Sequence, residues 1–281
     1  MNYQKFKELK LILLFTFIII LIQIAIFFLP AGIKSHFVLN TESPTIISIY
    51  FNHFTHFSLN HFLNNLSYFL IIMFFFFILS IKIKHRNHRN EITRLLLSAI
   101  ISAPILISAF ILSIYWILHY KDKLLGFSGM LSFFYGMFLV LTSKHILKIP
   151  TKISAMFIFS ILSIYLVAYF SNFKNLYPPR LKLIIIALAA MSIYLILNSI
   201  ISLKKFVKIK RMEELIFLIL SPLIILLFLF VPQFPLNLIH ENSLIGVHIH
   251  AIGLFFGMFW PYIIEKAKFF HIDFVKKFIW H

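Results

Sequence analysis

The chain has 281 residues, 61% of them hydrophobic and only 12% charged, with a formal net charge of +17 and a mean hydropathy of +0.95. Soluble domains carry about 25% charged and 45–50% apolar residues, so this composition excludes a water-covered fold and makes the bilayer the solvent. The nine carboxylates all lie outside the middle of the apolar runs, and there is no cysteine; midplane-carboxylate proteolysis or proton coupling, disulfides and thiolate metal sites are thereby excluded.

A membrane helix needs about 20 mostly apolar residues, and eight segments qualify. The first, 11–30, ends at Pro30 and has no small-residue cleavage site, so it reads as a retained span rather than a signal peptide. The segment 31–57 is half apolar (Ile33, Phe37, Val38, Ile46, Ile47, Tyr50, Phe51, Phe54) and suits a loop lying in the membrane interface. Spans follow at 58–81, 94–118, 126–147, 154–171, 183–203, 215–232 and 245–264. The expected fold is an all-α, polytopic membrane protein with a single transmembrane domain over 1–265. The tail 266–281 alternates Lys with Phe, Ile and Trp, as an interfacial amphipathic helix does.

Positive charge sets the orientation, because Lys and Arg are retained on the cytoplasmic side. With the N-terminus inside, only Lys34, Lys121, Lys123, Lys174, Arg180 and Lys182 of the 26 basic residues fall outside, leaving 20 inside. Both termini are therefore expected in the cytoplasm, in the cell membrane. The positive charge sits in short loops rather than in a basic domain, so it reads as a topology signal and a contact for anionic lipids, with no nucleic-acid partner.

Six of the seven glycines lie in two windows: Gly126, Gly129 and Gly136 in the fourth span, and Gly246, Gly253 and Gly257 in or beside the eighth. Small residues let membrane helices approach closely. Gly129 and Gly136, seven apart, share a face, as do Gly253 and Gly257, so the fourth and eighth spans are expected to pack backbone to backbone. The same windows carry polar groups: Gly126-Phe127-Ser128-Gly129, and His250 three residues before Gly253. Both spans run from outside to inside, because three spans separate them. Ser128 and His250 therefore lie within roughly 5–8 Å of the same membrane face.

The second span opens with His61 and Asn65, an i, i+4 pair on one helix face and at that same depth. A serine nucleophile needs a base to take its proton and donors for the oxyanion. Ser128 with His250 supplies the first; His61, Asn65 and the Ser128 N–H supply candidates for the second. No cofactor and no metal are implied by this set.

The three motifs together resemble those of the rhomboid intramembrane serine proteases: HxxxN on an early span (His61–Asn65, preceded by His56-Phe57-Ser58-Leu59), GxSG opening a middle span (Gly126–Gly129), and HxxGxxxG on the last core span (His250, Gly253, Gly257). The resemblance covers the second to fourth spans and the eighth. It implies a rhomboid-like bundle of six core helices, here with two extra spans, and Ser128 as nucleophile with His250 as general base. The expected substrates are the transmembrane segments of other proteins, cut near the outer face. It also implies a lateral loop over 31–57 and a capping loop over 233–245. The chain has Ile47-Ser48 where the family often has Trp-Arg, and Ser132 where it often has an aromatic, with Tyr135 the nearest candidate. Three spans separate the catalytic pair where the family usually has one.

His248 is a rival to His250 but lacks the glycine spacing. Two other readings stay open: a proteolytically inactive rhomboid-like protein that binds membrane helices, and a metal or solute transporter using His53, His56, His61, His248 and His250.

Overall fold

A computed structural model describes residues 3–83, 86–119, 121–146, 148–172, 194, 198, 239–240, 243–244 and 247–267. The predicted span 215–232, all of 183–203 except Tyr194 and Asn198, and the tail from 268 lie outside the described residues.

The chain is mostly helical. In order come α1 (Tyr3–Phe27), α2 (Ala31–Ser35), β1 (Leu39–Asn40), α3 (Ile46–Phe51), a 3₁₀ turn (Asn52–Phe54), α4 (Leu59–Lys82) and α5 (Arg86–Leu118). Then follow β2 (Lys123–Leu124), α6 (Ser128–His145), α7 (Thr151–Asn172), β3 (Ile239–His240), β4 (Ser243–Leu244) and α8 (Val247–Lys266). Among the described residues, three helices are long and apolar enough to cross a membrane: Leu9–Phe27, Leu59–Lys82 and Asn87–Ile117. Their outer faces leave Leu13, Phe17, Leu70, Phe74, Ile101 and Ile105 exposed. Large apolar side chains on that scale have no place in water, so these helices associate the protein with a membrane.

Helix ends depart from the predicted bounds for local reasons. α1 stops at Phe27, before the predicted end at Pro30, because Pro30 (φ −53, ψ 144) is the extended residue that opens α2. The buried Lys34 closes α1 instead, its Nζ donating to Phe27 O (3.1 Å) and His56 O (3.2 Å). A cation suits a helix C-terminus, where unpaired carbonyls collect. α5 begins at Arg86 rather than 94, and buried Arg89 turns back to donate to Ile83 O (3.0 Å) at the end of α4. α6 begins at Ser128 and not at Gly126, whose φ of +112 no helix accommodates.

Pro104 sits inside α5. A proline has no N–H for the carbonyl four residues earlier. That carbonyl, Ile100 O, accepts the Tyr50 hydroxyl from α3 at 2.9 Å. Next to the same point His53 Nε2 lies 3.2 Å from Pro104 O and 3.1 Å from Ser108 Oγ, and Ser108 Oγ donates to Ile49 O (2.8 Å). The helix defect thus becomes the dock for the 31–57 segment. A two-residue antiparallel clip, Leu39 with Leu124 and Asn40 with Lys123, ties that segment to the approach to α6.

α6 is the central helix. Every residue from Gly129 to Leu141 is buried, so it presents no lipid face and needs no amphipathic pattern. Phe133, Phe134, Met137 and Val140 are wholly enclosed.

Candidate functional site: the start of alpha 6

The glycines fix how α6 meets α8. A Cβ placed on Gly253 would lie 2.1 Å from Gly129 O, one on Gly257 1.9 Å from Phe133 O, and one on Gly136 2.4 Å from Leu254 O. These distances leave room for hydrogen only. Stepping four residues along α8 steps four along α6, so the helices run parallel with their backbones touching. Gly129 also meets Ile249: its Cβ would lie 2.8 Å from Ile249 Cγ2. Ser128 and His250 are the chain neighbours of that pair, so they stand at the same level of two touching helices. Ser128 is half-buried and His250 is buried.

Ser128 is the first residue of α6. The first N–H groups of a helix have no carbonyl within it to bond and carry its positive dipole end. The turn that delivers them depends on Gly126. Its N–H donates to Asn52 O (2.9 Å), its φ of +112 excludes most side chains, and a Cβ there would lie 2.9 Å from His61 Cε1 and 3.3 Å from His61 Nε2. The exposed His61 ring therefore lies against the backbone just before Ser128. The hydroxyl of Ser58 caps α4, accepting from His61 N at 3.4 Å, which sets where that ring projects.

Asn65 is buried, and its Nδ2 donates to His56 Nε2 (2.9 Å). Phe127 N–H, one residue before Ser128, donates to the same nitrogen at 3.4 Å. Two incoming donors require Nε2 to be unprotonated, which fixes the His56 tautomer. His56 also stands edge-on to His61, ring centroids 5.0 Å apart. Burial first, then the charges of His61 and Lys34, lower the His56 pKa to about 3. One amide hydrogen of Asn65 is thus committed to His56, and the other is what it can offer an oxyanion.

His56 entered the sequence reading only as a neighbour of the motif and as one of a possible transporter's histidines, yet it joins α4, the 3₁₀ turn and the start of α6. Its sequence signal was its place five residues before His61 with the capping serine between. Tyr135 is buried on α6, and its hydroxyl donates to Tyr68 O on α4 at 3.5 Å. Ser132 is buried on α6. The described residues include His248 in α8, and the capping segment only at 239–240 and 243–244, as a two-residue clip.

No protein-family model, no curated protein and no solved structure matches this chain.

Proposed function

We propose that the protein is an intramembrane serine endopeptidase of the rhomboid type, cutting transmembrane segments of other proteins near the outer membrane face. The observation that carries this reading is the glycine-mediated contact of α6 with α8, which brings Ser128 and His250 to one level. The proposed topology has eight spans, six in the core and two extra, with both termini in the cytoplasm.

In this mechanism His250 accepts the proton of Ser128 Oγ as the oxygen attacks the scissile carbonyl carbon. The carbonyl π electrons move to its oxygen, which the Ser128 N–H at the start of α6 stabilises. His61 and the free amide hydrogen of Asn65 are the side-chain donors on that side. The oxyanion collapses, the C–N bond breaks, and His250 protonates the leaving amine. Water, deprotonated by His250, then attacks the acyl-enzyme ester, releasing the new carboxyl group and restoring Ser128. No carboxylate is needed to orient His250, in keeping with a chain that keeps its acids out of the apolar runs.

The test is cleavage of a fluorogenic transmembrane peptide co-reconstituted with the protein in liposomes. Ser128→Ala and His250→Ala should each lower the rate by on the order of 10⁴-fold or more. Equal cleavage by wild type and Ser128→Ala would refute the reading. Binding of the peptide with no cleavage by either protein would favour a non-catalytic helix-binding role.

A further inference from the structure

At the opposite end of α6 from Ser128, about 25 Å away along an 18-residue helix, three side chains converge. His88 and Glu91 lie one turn apart at the start of α5, and His145 is the last residue of α6. One ligand atom from each lies within 4.8 Å of the others. Glu91 Oε2 is 3.7 Å from His88 Nδ1 and 3.6 Å from His145 Nε2, and the two imidazole rings are 4.9 Å apart.

The other Glu91 oxygen is occupied: Lys144 Nζ donates to Oε1 at 2.6 Å. Lys144 also approaches Glu265 Oε2 at 3.6 Å, and that oxygen accepts Thr151 Oγ1 at 2.6 Å. Glu91 is thus oriented from behind, with Oε2 turned toward both imidazoles. His145 is 7% exposed, and its Nε2 is buried without a hydrogen-bond partner. A buried polar atom left without a partner is rare in a folded protein and calls for a ligand or another explanation.

We propose that His88, Glu91 and His145 form a binding site for a divalent transition-metal ion such as Zn²⁺. Two imidazoles and one carboxylate are the ligand set such ions take, whereas Mg²⁺ and Ca²⁺ prefer oxygen alone. Metal–ligand bonds of about 2.0–2.2 Å in a tetrahedron put donor atoms roughly 3.3 Å apart. The Glu91–imidazole separations are within half an ångström of that, and the remaining closure takes small rotations of exposed His88. Three protein ligands leave one position for water. The ion would clasp the start of α5 to the end of α6, while the Lys144–Glu265–Thr151 chain extends the tie to α8 and α7. This site shares no residue with the hydrolytic site and does not depend on that reading.

The test is calorimetric titration of ZnCl₂ into tag-free, EDTA-stripped full-length protein in detergent. Wild type should bind one saturable equivalent, with a rise in melting temperature. His88→Ala, Glu91→Gln and His145→Phe should each weaken binding by on the order of 100-fold or more and remove the thermal shift, while His36→Ala, at an exposed histidine far along the chain, should leave both unchanged. Should His145→Phe fail to fold, His88→Ala and Glu91→Gln still decide the matter. X-ray absorption at the zinc edge should show two imidazole ligands in wild type. No saturable equivalent in wild type, or the same affinity in His88→Ala and Glu91→Gln, would overturn the proposal.

Discussion

His53 and His56 are both buried, within the 31–57 segment. Burial lowers the His53 pKa to about 4 against the raising effect of the Pro104 carbonyl, and it lowers His56 to about 3. In the unfolded chain each protonates near pH 6.5. Between that value and the folded values the unfolded state binds more protons, so their contribution to stability is full above pH 6.5 and shrinks as pH falls. Each histidine sets a slope of at most about 1.4 kcal/mol per pH unit. Melting curves from pH 7.5 to 4 should therefore show stability falling on the acid side of 6.5. His56→Gln, which keeps an acceptor for Asn65 and Phe127 N–H, should flatten that fall. An unchanged slope in His56→Gln would mean that this histidine is already protonated in the fold.

At the scale of the helix, the α6–α8 contact sets the expectation. Gly257→Ala places a methyl group 1.9 Å from Phe133 O, which backbone cannot yield without parting the helices. The substitution should cost about 3 kcal/mol and lower the melting temperature by roughly 5–10 °C. Gly32→Ala, with nothing within 4 Å of the new carbon, should stay within about 0.5 kcal/mol of wild type. Equal melting temperatures for the two variants would contradict the contact. The glycine faces were legible in the sequence because spacing alone puts Gly129 with Gly136, and Gly253 with Gly257, on one side of a helix. The Tyr50–Ile100 bond across the Pro104 defect was not legible, since it joins residues 50 apart in the chain and only the fold brings them together. Nor was the role of His56, which depends on a donor from Asn65 and another from the backbone of Phe127. His88, Glu91 and His145 were missed for the same reason: an HxxE pair on a charged helix start is commonplace, and its third member lies far along the sequence at the end of another helix.

At the scale of the whole molecule, the proposal requires that the 31–57 segment and the start of α6 face outside and that the start of α5 face the cytoplasm. A chain without cysteine makes this direct to read. In right-side-out vesicles a membrane-impermeant maleimide should label Ser43→Cys and spare Asn87→Cys, both at exposed positions; the reverse pattern would invert the topology. The central claim is that Ser128 is a nucleophile activated by His250. The measurement that bears on it most directly is mass spectrometry of the full-length protein after incubation with a fluorophosphonate. The account predicts a single phosphonyl adduct on the peptide containing Ser128, formed at least a thousandfold more slowly in His250→Ala. An unmodified Ser128 in wild type, or labelling indifferent to His250, would contradict it.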